Sequence, residues 1–195
     1  HESSLPPCAA LRAAAHNRRM NWTLPWAVAA LLLTACSPAL NWRTVPLDDG
    51  GLTATLPCKP DHATRTVEMA GMPVDLAMLG CEADHATFAL SYAVVSDPGR
   101  ADTALAHWRA AVLARLGGAN VLFDQPFAPP GTLALPASVR LVAQGQRPDG
   151  TAVTVQGVWF ARAVGPQVRL YHAVLYTAKP RPEVADALFA GLSLH

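Results

Sequence analysis

The chain has 195 residues, enough for one domain of ordinary size together with processing segments. Hydrophobic residues make up 51% of it and charged residues only 15%, so the chain can bury a substantial core and intrinsic disorder is not expected. With 15 basic and 14 acidic side chains the formal net charge is +1, which leaves no basic field for nucleic acid.

Residues 1–19 are set apart by their lack of any apolar periodicity. The first methionine is Met20, and the sequence before it reads HESSLPPCAALRAAAHNRR. We interpret residues 1–19 as upstream translation or a cloning remnant and exclude them, with Cys8, from the predicted fold.

An apolar segment follows Met20 and predicts export. Residues 24–35 are apolar apart from Thr34. A run of about 12 residues is too short for a hydrocarbon core that needs roughly 20, but it is typical of the central region of a signal peptide. We therefore predict that residues 20–35 are a signal peptide.

The end of this segment indicates the type of signal. Its last residues are Leu33-Thr34-Ala35-Cys36, which resemble the lipobox of bacterial lipoproteins: an aliphatic residue, two small residues and a cysteine. The resemblance implies cleavage before Cys36 and lipidation of that residue, and two or three acyl chains anchor a protein stably. Ser37 resembles the outer-membrane class, since an aspartate there would favour the inner membrane. The alternative is an ordinary secretory signal with a chance cysteine.

The mature chain is predicted to begin with a tether, residues 36–45, and to continue as a single domain, residues 46–195. Apolar residues alternate with threonines in residues 52–56, as in a half-buried strand. Further strands are predicted at residues 65–70, 73–79 and 87–95, with Gly71 in the turn between the first two.

A long helix is predicted next, over residues 101–116. Leu105, Trp108, Val112 and Leu116 recur at spacings of three and four, which places them on one apolar stripe. Asp102 is the predicted cap, and the glycine pair that follows the helix is the predicted stop.

The C-terminal half returns to strands. Residues 123–136 contain four prolines and are predicted to be irregular. Strands are then expected at residues 138–145, 151–161 and 167–177, and Pro182 opens a short final helix.

This order of elements predicts an α+β fold. Short connections favour an antiparallel sheet, here of about six to seven strands. One long helix and one short C-terminal helix would pack on it, and we expect both to cover the same face.

Several segments resemble small bacterial lipoproteins of uncharacterised function. They read GGLTATLPCKP from Gly50, SYAVVSDP from Ser91, DG from Asp149, VRLYH from Val168 and ALFAGLSL from Ala187. Those proteins are similar in fold to PsbP of the oxygen-evolving complex, a sandwich with an antiparallel sheet between helices. The resemblance spans roughly residues 42–195 and implies binding or accessory roles more than catalysis.

Two segments share the pattern C-x-x-D-H-A-T, beginning at Cys58 and at Cys81. Each segment offers a thiol and an imidazole four positions apart. Cys58, His62, Cys81 and His85 could therefore hold zinc tetrahedrally, and the aspartate of each segment could orient its histidine.

The competing prediction for Cys58 and Cys81 is a disulfide. With Cys36 lipidated and Cys8 excluded, these two cysteines remain, and an exported protein meets an oxidising compartment. They bracket the hairpin around Gly71, so its base could bring them together. In the chain-entropy model, closing this loop stabilises the fold by roughly 3 kcal/mol. We favour the disulfide.

Catalytic patterns are missing from the sequence. It contains no G-x-S-x-G, H-E-x-x-H or P-loop motif. His107 and His172 are more typical of packed or surface histidines than of bases, so no catalytic residue and no cofactor is predicted.

The sequence therefore predicts a membrane-anchored envelope lipoprotein that acts as a non-catalytic accessory or protein-interaction module. It would face the periplasm from the outer membrane, with the membrane and an envelope protein as its partners. The alternative is a periplasmic metal-binding protein that uses the two cysteine–histidine segments.

Overall fold

The computed structural model describes residues 39–47 and 49–195. Residues 1–19, the predicted signal peptide and Cys36 lie outside the described residues, as does the first part of the predicted tether. Within the described ranges, no helix has both the length and the apolar character needed to cross a membrane.

Ten strands and two α-helices form from the described residues. In chain order they are β1 (Arg43–Leu47), β2 (Leu52–Leu56), β3 (Asp61–Met69), β4 (Met72–Ala83), β5 (Ala86–Val95), α1 (Ala101–Ala114), β6 (Gly117–Pro126), β7 (Val139–Gln146), β8 (Ala152–Val164), β9 (Gln167–Thr177), α2 (Pro182–Ala190) and β10 (Ser193–Leu194). A short 3₁₀ turn, Pro98–Arg100, leads into α1.

The main sheet has seven strands in the order β3-β4-β5-β9-β8-β7-β6, and every neighbouring pair is antiparallel. The predicted antiparallel α+β fold is therefore confirmed. A second sheet, β1-β2-β10, was not predicted. Its first strand lies partly in the expected tether, and its last strand is formed by the C-terminal residues.

Both faces of the main sheet are buried at its centre. Along β8, Val155 and Trp159 point to one side and Val158 and Phe160 to the other, and all four are at most 1% exposed. One side packs against α1 and is called the α1 face. The other packs against α2 and the three-stranded sheet and is called the α2 face.

The expectation that both helices cover one face is therefore wrong. Central strands that are apolar on both sides need a layer on each side, because an uncovered face would expose a large apolar area. The structure meets this need with three layers: α1, the main sheet, and the layer of α2 with the three-stranded sheet.

The strand β6 also departs from prediction. Gly117 and Gly118 follow α1 as expected, but they begin a strand, which runs through part of the segment that was predicted to be irregular. Pro126 is compatible with pairing because it is the last residue of an edge strand. The pairing of β6 with β7 contains two register shifts.

The helix α1 is shorter than predicted and lacks the predicted cap. It ends at Ala114, and its N-cap is Arg100, which makes no side-chain cap hydrogen bond. Asp102 instead accepts a hydrogen bond from the backbone N–H of Ala137 at 2.8 Å. Leu105 and Trp108 of the predicted stripe are buried against the sheet.

Candidate functional site

The disulfide predicted between Cys58 and Cys81 is present, with a Cα–Cα distance of 5.9 Å. Cys58 lies just before β3, whose first residue, Asp61, pairs with Gly80. The start of β3 therefore lies beside the C-terminal half of β4. Both cysteines are partly buried against the core on the α2 face.

The two C-x-x-D-H-A-T segments have different structures. His62 lies in β3 opposite Leu79, whereas His85 lies in the turn between β4 and β5. Asp84 and His85 both have positive φ angles, 49° and 57°, as a two-residue hairpin turn requires.

Cys58 and Cys81 cannot act as thiolate ligands of a metal ion, because both sulfur atoms are in the disulfide. Across residues 39–47 and 49–195, no group of three or more His, Cys, Asp or Glu side chains is placed to hold a metal ion. The alternative metal site therefore has no geometric support in this oxidised form.

A groove of about 270 Å³ lies on the α1 face, between α1 and the neighbouring strands β3, β4, β5 and β9. Its floor and walls are mainly apolar, with charged side chains at the rim. The residues that line it are Arg65, Val67, Glu68, Met69, Leu76, Met78, Ala89, Ser91, His107, Trp108, Ala111, Val112, Arg115, His172, Val174 and Tyr176.

The central polar residue of the groove is His172. It lies in the middle of β9, paired with Ser91 on one side and Trp159 on the other. Its ring stacks on Trp159, with centroids 4.1 Å apart, and meets Trp108 edge to face at 5.5 Å. The ring is therefore fixed by aromatic contacts from both the sheet and the helix.

This stack depends on a glycine in β8. A Cβ atom at Gly157 would lie 3.1 Å from Cε1 of His172 and 3.1 Å from atoms of the Trp159 ring. A side chain there would require the neighbouring rings to shift by a few tenths of an ångström. Gly157 thus leaves the space that the two stacked rings occupy.

Hydrogen bonding fixes the tautomer of His172. Its Nδ1 lies 3.1 Å from the carbonyl oxygen of Val158. Since that oxygen can only accept, Nδ1 carries the proton and Nε2 is an acceptor. Nε2 is buried and has no hydrogen-bond partner among the described residues.

Burial also determines the charge of His172. Desolvation lowers its pKa to about 4, against a smaller upward effect of the hydrogen bond to Val158. The ring is therefore neutral at neutral pH, and Nε2 presents a lone pair. Tyr176, which also lines the groove, has its pKa raised by burial, so its hydroxyl group stays protonated.

The rim of the groove is held by hydrogen bonds to the turn between β3 and β4. His107 accepts a hydrogen bond from the backbone N–H of Ala70 at 3.1 Å, and Arg100 donates to the carbonyl of the same residue at 2.6 Å. These contacts fix the turn against the start of α1. His107 was predicted only to be a packed or surface residue, and no sequence pattern indicated that it binds the β3–β4 turn.

The groove is better suited to binding than to proton transfer. Ser91 and His172 are cross-strand neighbours on the same face, which resembles a nucleophile beside a base. However, His172 is oriented by a neutral carbonyl rather than a carboxylate, and its low pKa makes it a weak base. The arrangement holds a neutral imidazole rigidly in an apolar setting, with its Nε2 buried.

The fold defines an α+β domain whose seven-stranded antiparallel sheet lies between α1 and a layer formed by α2 and the three-stranded sheet. No protein-family model and no curated protein matches the chain. Among solved structures, it is similar to a protein of unknown function from Pseudomonas aeruginosa, at 18% identity and a TM-score of 0.33, over 70% of this chain and 82% of that one. A likeness at this level carries no functional argument.

Proposed function

We propose that the protein is a membrane-anchored envelope lipoprotein whose folded part is a non-catalytic binding or interaction module. The single observation that carries the proposal is the lipobox-like sequence Leu33-Thr34-Ala35-Cys36 at the end of an apolar segment of signal-peptide length. The domain would face the periplasm from the outer membrane, held by acyl chains on Cys36.

The disulfide supports this compartment independently. Disulfides persist in oxidising environments and are rare where glutathione and thioredoxin keep thiols reduced. Cys58 and Cys81 are bonded in the folded domain. Two separate parts of the chain, the predicted export segment and the disulfide-bonded domain, therefore both favour an oxidising compartment.

The three-layer arrangement is compatible with the finer fold assignment. A PsbP-like sandwich holds its antiparallel sheet between helices, and here α1 and α2 lie on opposite faces. This supports a PsbP-like domain, a fold associated with binding and accessory roles. The neutral, carbonyl-oriented His172 also favours binding over catalysis.

Lipidation can be tested on the full chain expressed in a Gram-negative host. Mass spectrometry of the membrane-extracted protein should find a lipid-modified N-terminus at Cys36. The variant Cys36→Ala should lose the lipid and accumulate as uncleaved precursor, whereas the matched variant Cys8→Ala should mature like the wild type. Maturation of Cys36→Ala at the same bond would contradict the proposal.

The final membrane can be tested separately. Ser37→Asp should move the lipoprotein from the outer to the inner membrane fraction without affecting lipidation. Separation of the two membranes by density gradient measures the shift. If the wild type already fractionates with the inner membrane, the outer-membrane part of the proposal is wrong and the lipoprotein part stands.

A further inference from the structure

The hairpin tip between β3 and β4, formed by Ala70 and Gly71, is held by two side chains from another part of the chain. The ladder of the hairpin ends at the residues that flank the tip, so the N–H and C=O of Ala70 lie outside it. Nδ1 of His107 accepts a hydrogen bond from this N–H at 3.1 Å, and Arg100 donates to this C=O at 2.6 Å. Both polar backbone groups of one turn residue are therefore bound from the start of α1.

The backbone conformation of the hairpin tip makes these two contacts important. Ala70 and Gly71 have φ angles of 52° and 76°, as a two-residue hairpin turn requires. Glycine adopts a positive φ freely, but alanine is sterically disfavoured there. The two side-chain contacts offset this strain. They also tie together two walls of the groove, because Met69 before the tip and Trp108 of α1 both line it.

We propose that His107 is a pH-sensitive latch: its neutral ring holds the hairpin tip against α1, and protonation of the ring releases the tip and opens that end of the groove. The latch consists of residues of the folded domain. It therefore does not depend on lipidation of Cys36, and the two proposals can fail separately.

The hydrogen bond to the hairpin tip requires a neutral imidazole. A backbone N–H can only donate, so Nδ1 of His107 must be unprotonated to accept it. The imidazolium ion carries a proton on both nitrogens and has no acceptor, so rotation of the ring cannot restore the bond. The C=O of Ala70 is already bound to Arg100. Histidine is the side chain that changes charge between roughly pH 5 and 8, and His107 is exposed to solvent.

The charges around His107 do not replace the lost hydrogen bond. Arg100 stays positively charged and contacts the same turn residue, so it opposes a second positive charge at the hairpin tip. The carboxylates of Asp97 and Asp102 already accept hydrogen bonds from backbone N–H groups. The remaining charged or titratable side chains along the groove are Arg65 and Glu68 of β3, Arg115 of α1, and His172 and Tyr176 of β9. Exposed charges of both signs are screened by solvent, so the direct contact with Arg100 dominates.

Release of the hairpin tip has a consequence beyond the hydrogen bond itself. Met69 immediately precedes the tip and is only 2% exposed, and it belongs to the core cluster on the α1 face. Movement of the tip away from α1 should therefore uncover the Met69 side chain. Loss of the hydrogen bond and opening of the groove can thus be measured at two different residues.

The test compares the full chain, with its disulfide intact and held in lipid nanodiscs, at about pH 7.5 and about pH 5. NMR measures the protection of the Ala70 amide against solvent exchange, corrected for the intrinsic effect of pH. We expect protection to fall about three- to tenfold at the lower pH, the loss of one hydrogen bond. The midpoint of this fall should coincide with the titration of the His107 ring protons. The Met69 methyl group should become more accessible to a soluble paramagnetic probe over the same range.

Variants at the exposed position 107 separate the latch from general effects of acid. His107→Asn keeps an acceptor at the δ1 position but does not titrate, so Ala70 should stay protected at both pH values. His107→Ala lacks the acceptor and should give low protection at both. The matched control is His85→Asn, in the turn between β4 and β5, which should behave like the wild type. The titration of His172 is common to all four proteins, so their differences isolate His107.

Each contrary outcome overturns the latch. Constant protection of Ala70 in the wild type would mean that the hydrogen bond does not depend on pH. An equal fall in His107→Asn, or a midpoint different from that of the His107 ring, would assign the change to another group. A deprotected Ala70 with an unchanged Met69 methyl group would mean that the bond breaks without opening the groove. The wild-type measurements decide these points even if a variant fails to fold.

Discussion

The two faces of the main sheet are packed differently, and two neighbouring residues of β9 show the difference. On the α2 face, Tyr171 is fully buried and its hydroxyl donates to the carbonyl of Gly50. On the α1 face, His172 is equally deep but leaves Nε2 without a partner among the described residues.

The difference follows from how much structure covers each face. The α2 face is covered by α2 and the three-stranded sheet, and aromatic rings interlock there, with Phe160 stacked on Tyr171 at 5.0 Å. The α1 face has one helix, which leaves a groove over β3, β4 and β5. The α2 face therefore buries its central aromatic residues under two elements, whereas the α1 face has a groove beside its single helix.

The largest expected effect is on the α2 face. Phe160→Ala should lower the free energy of unfolding by about 3–5 kcal/mol, because a buried ring is lost and its neighbours cannot close the space. Val112→Ala, at the half-buried groove side of α1, should cost only about 1 kcal/mol. Urea unfolding followed by circular dichroism measures both. Similar losses would mean that the two faces are equally well packed.

The disulfide should give the next largest effect. Replacing Cys58 and Cys81 by serine should lower stability by roughly 2–4 kcal/mol while keeping the fold, since one crosslink is a small part of the total burial. The cysteines pack against the α2-face core, so the pH dependence of His172 should not change. Ready alkylation of both thiols in the native protein, purified without reducing agent, would contradict the assigned bond.

His172 should make stability depend on pH. Its native pKa is about 4, against 6.5 for an exposed histidine. Above pH 6.5 neither state is protonated. As the pH falls from 6.5 to 4, only the unfolded state binds the proton, so the free energy of unfolding should fall by up to about 3 kcal/mol, and the loss stops below the native pKa.

The control for this pH dependence is His172→Phe. All other titratable groups are the same in the two proteins, so the difference between their stability–pH curves isolates His172. The variant should show a shallower decline between pH 6.5 and 4. Parallel curves for wild type and variant would mean that the imidazole is protonated equally in both states.

The smallest effect should come from the satisfied hydroxyl of the α2 face. Tyr171→Phe removes the donor to Gly50 and leaves its carbonyl unpaired, which should cost about 1–2 kcal/mol. His172→Phe removes the donor to the Val158 carbonyl but also removes the unsatisfied Nε2, and because the second change offsets the first, it should cost less at neutral pH. If Tyr171→Phe leaves the free energy of unfolding unchanged, the contrast between the two buried polar groups has no effect on stability.

Local patterns were sufficient to predict much of the fold. Alternating residues located β2 and β5, and Gly71 located the hairpin whose base carries the disulfide. The sequence of β8 carried a further signal that was not used. Six of the nine residues in VTVQGVWFA are apolar and they fall on both alternating sets, as expected for a strand buried on both faces. That pattern already argued against placing both helices on one side.

Other features depend on contacts between distant residues. The edge strand β6 contains the consecutive apolar residues Val121, Leu122 and Phe123 and two register shifts, so it lacks a clear alternation. The strand β10 has two residues and exists only because it pairs with β2. The groove could not be predicted from local patterns, because its walls come from distant segments of the chain. Nε2 of His172 lacks a partner among the described residues only because of how those segments pack around it.

The order of the main sheet also has a kinetic consequence. The strands β3-β4-β5 and β6-β7-β8-β9 are two meanders of consecutive antiparallel strands, and they meet only where β5 pairs with β9. Pairs such as Leu90 with Ala173 join residues far apart in sequence, and closing such long loops is slow. We expect each meander to form first and their junction to limit folding, so that Leu90→Ala slows folding more than it accelerates unfolding. The Cys58–Cys81 hairpin would then be able to oxidise before the C-terminal strands complete the sheet.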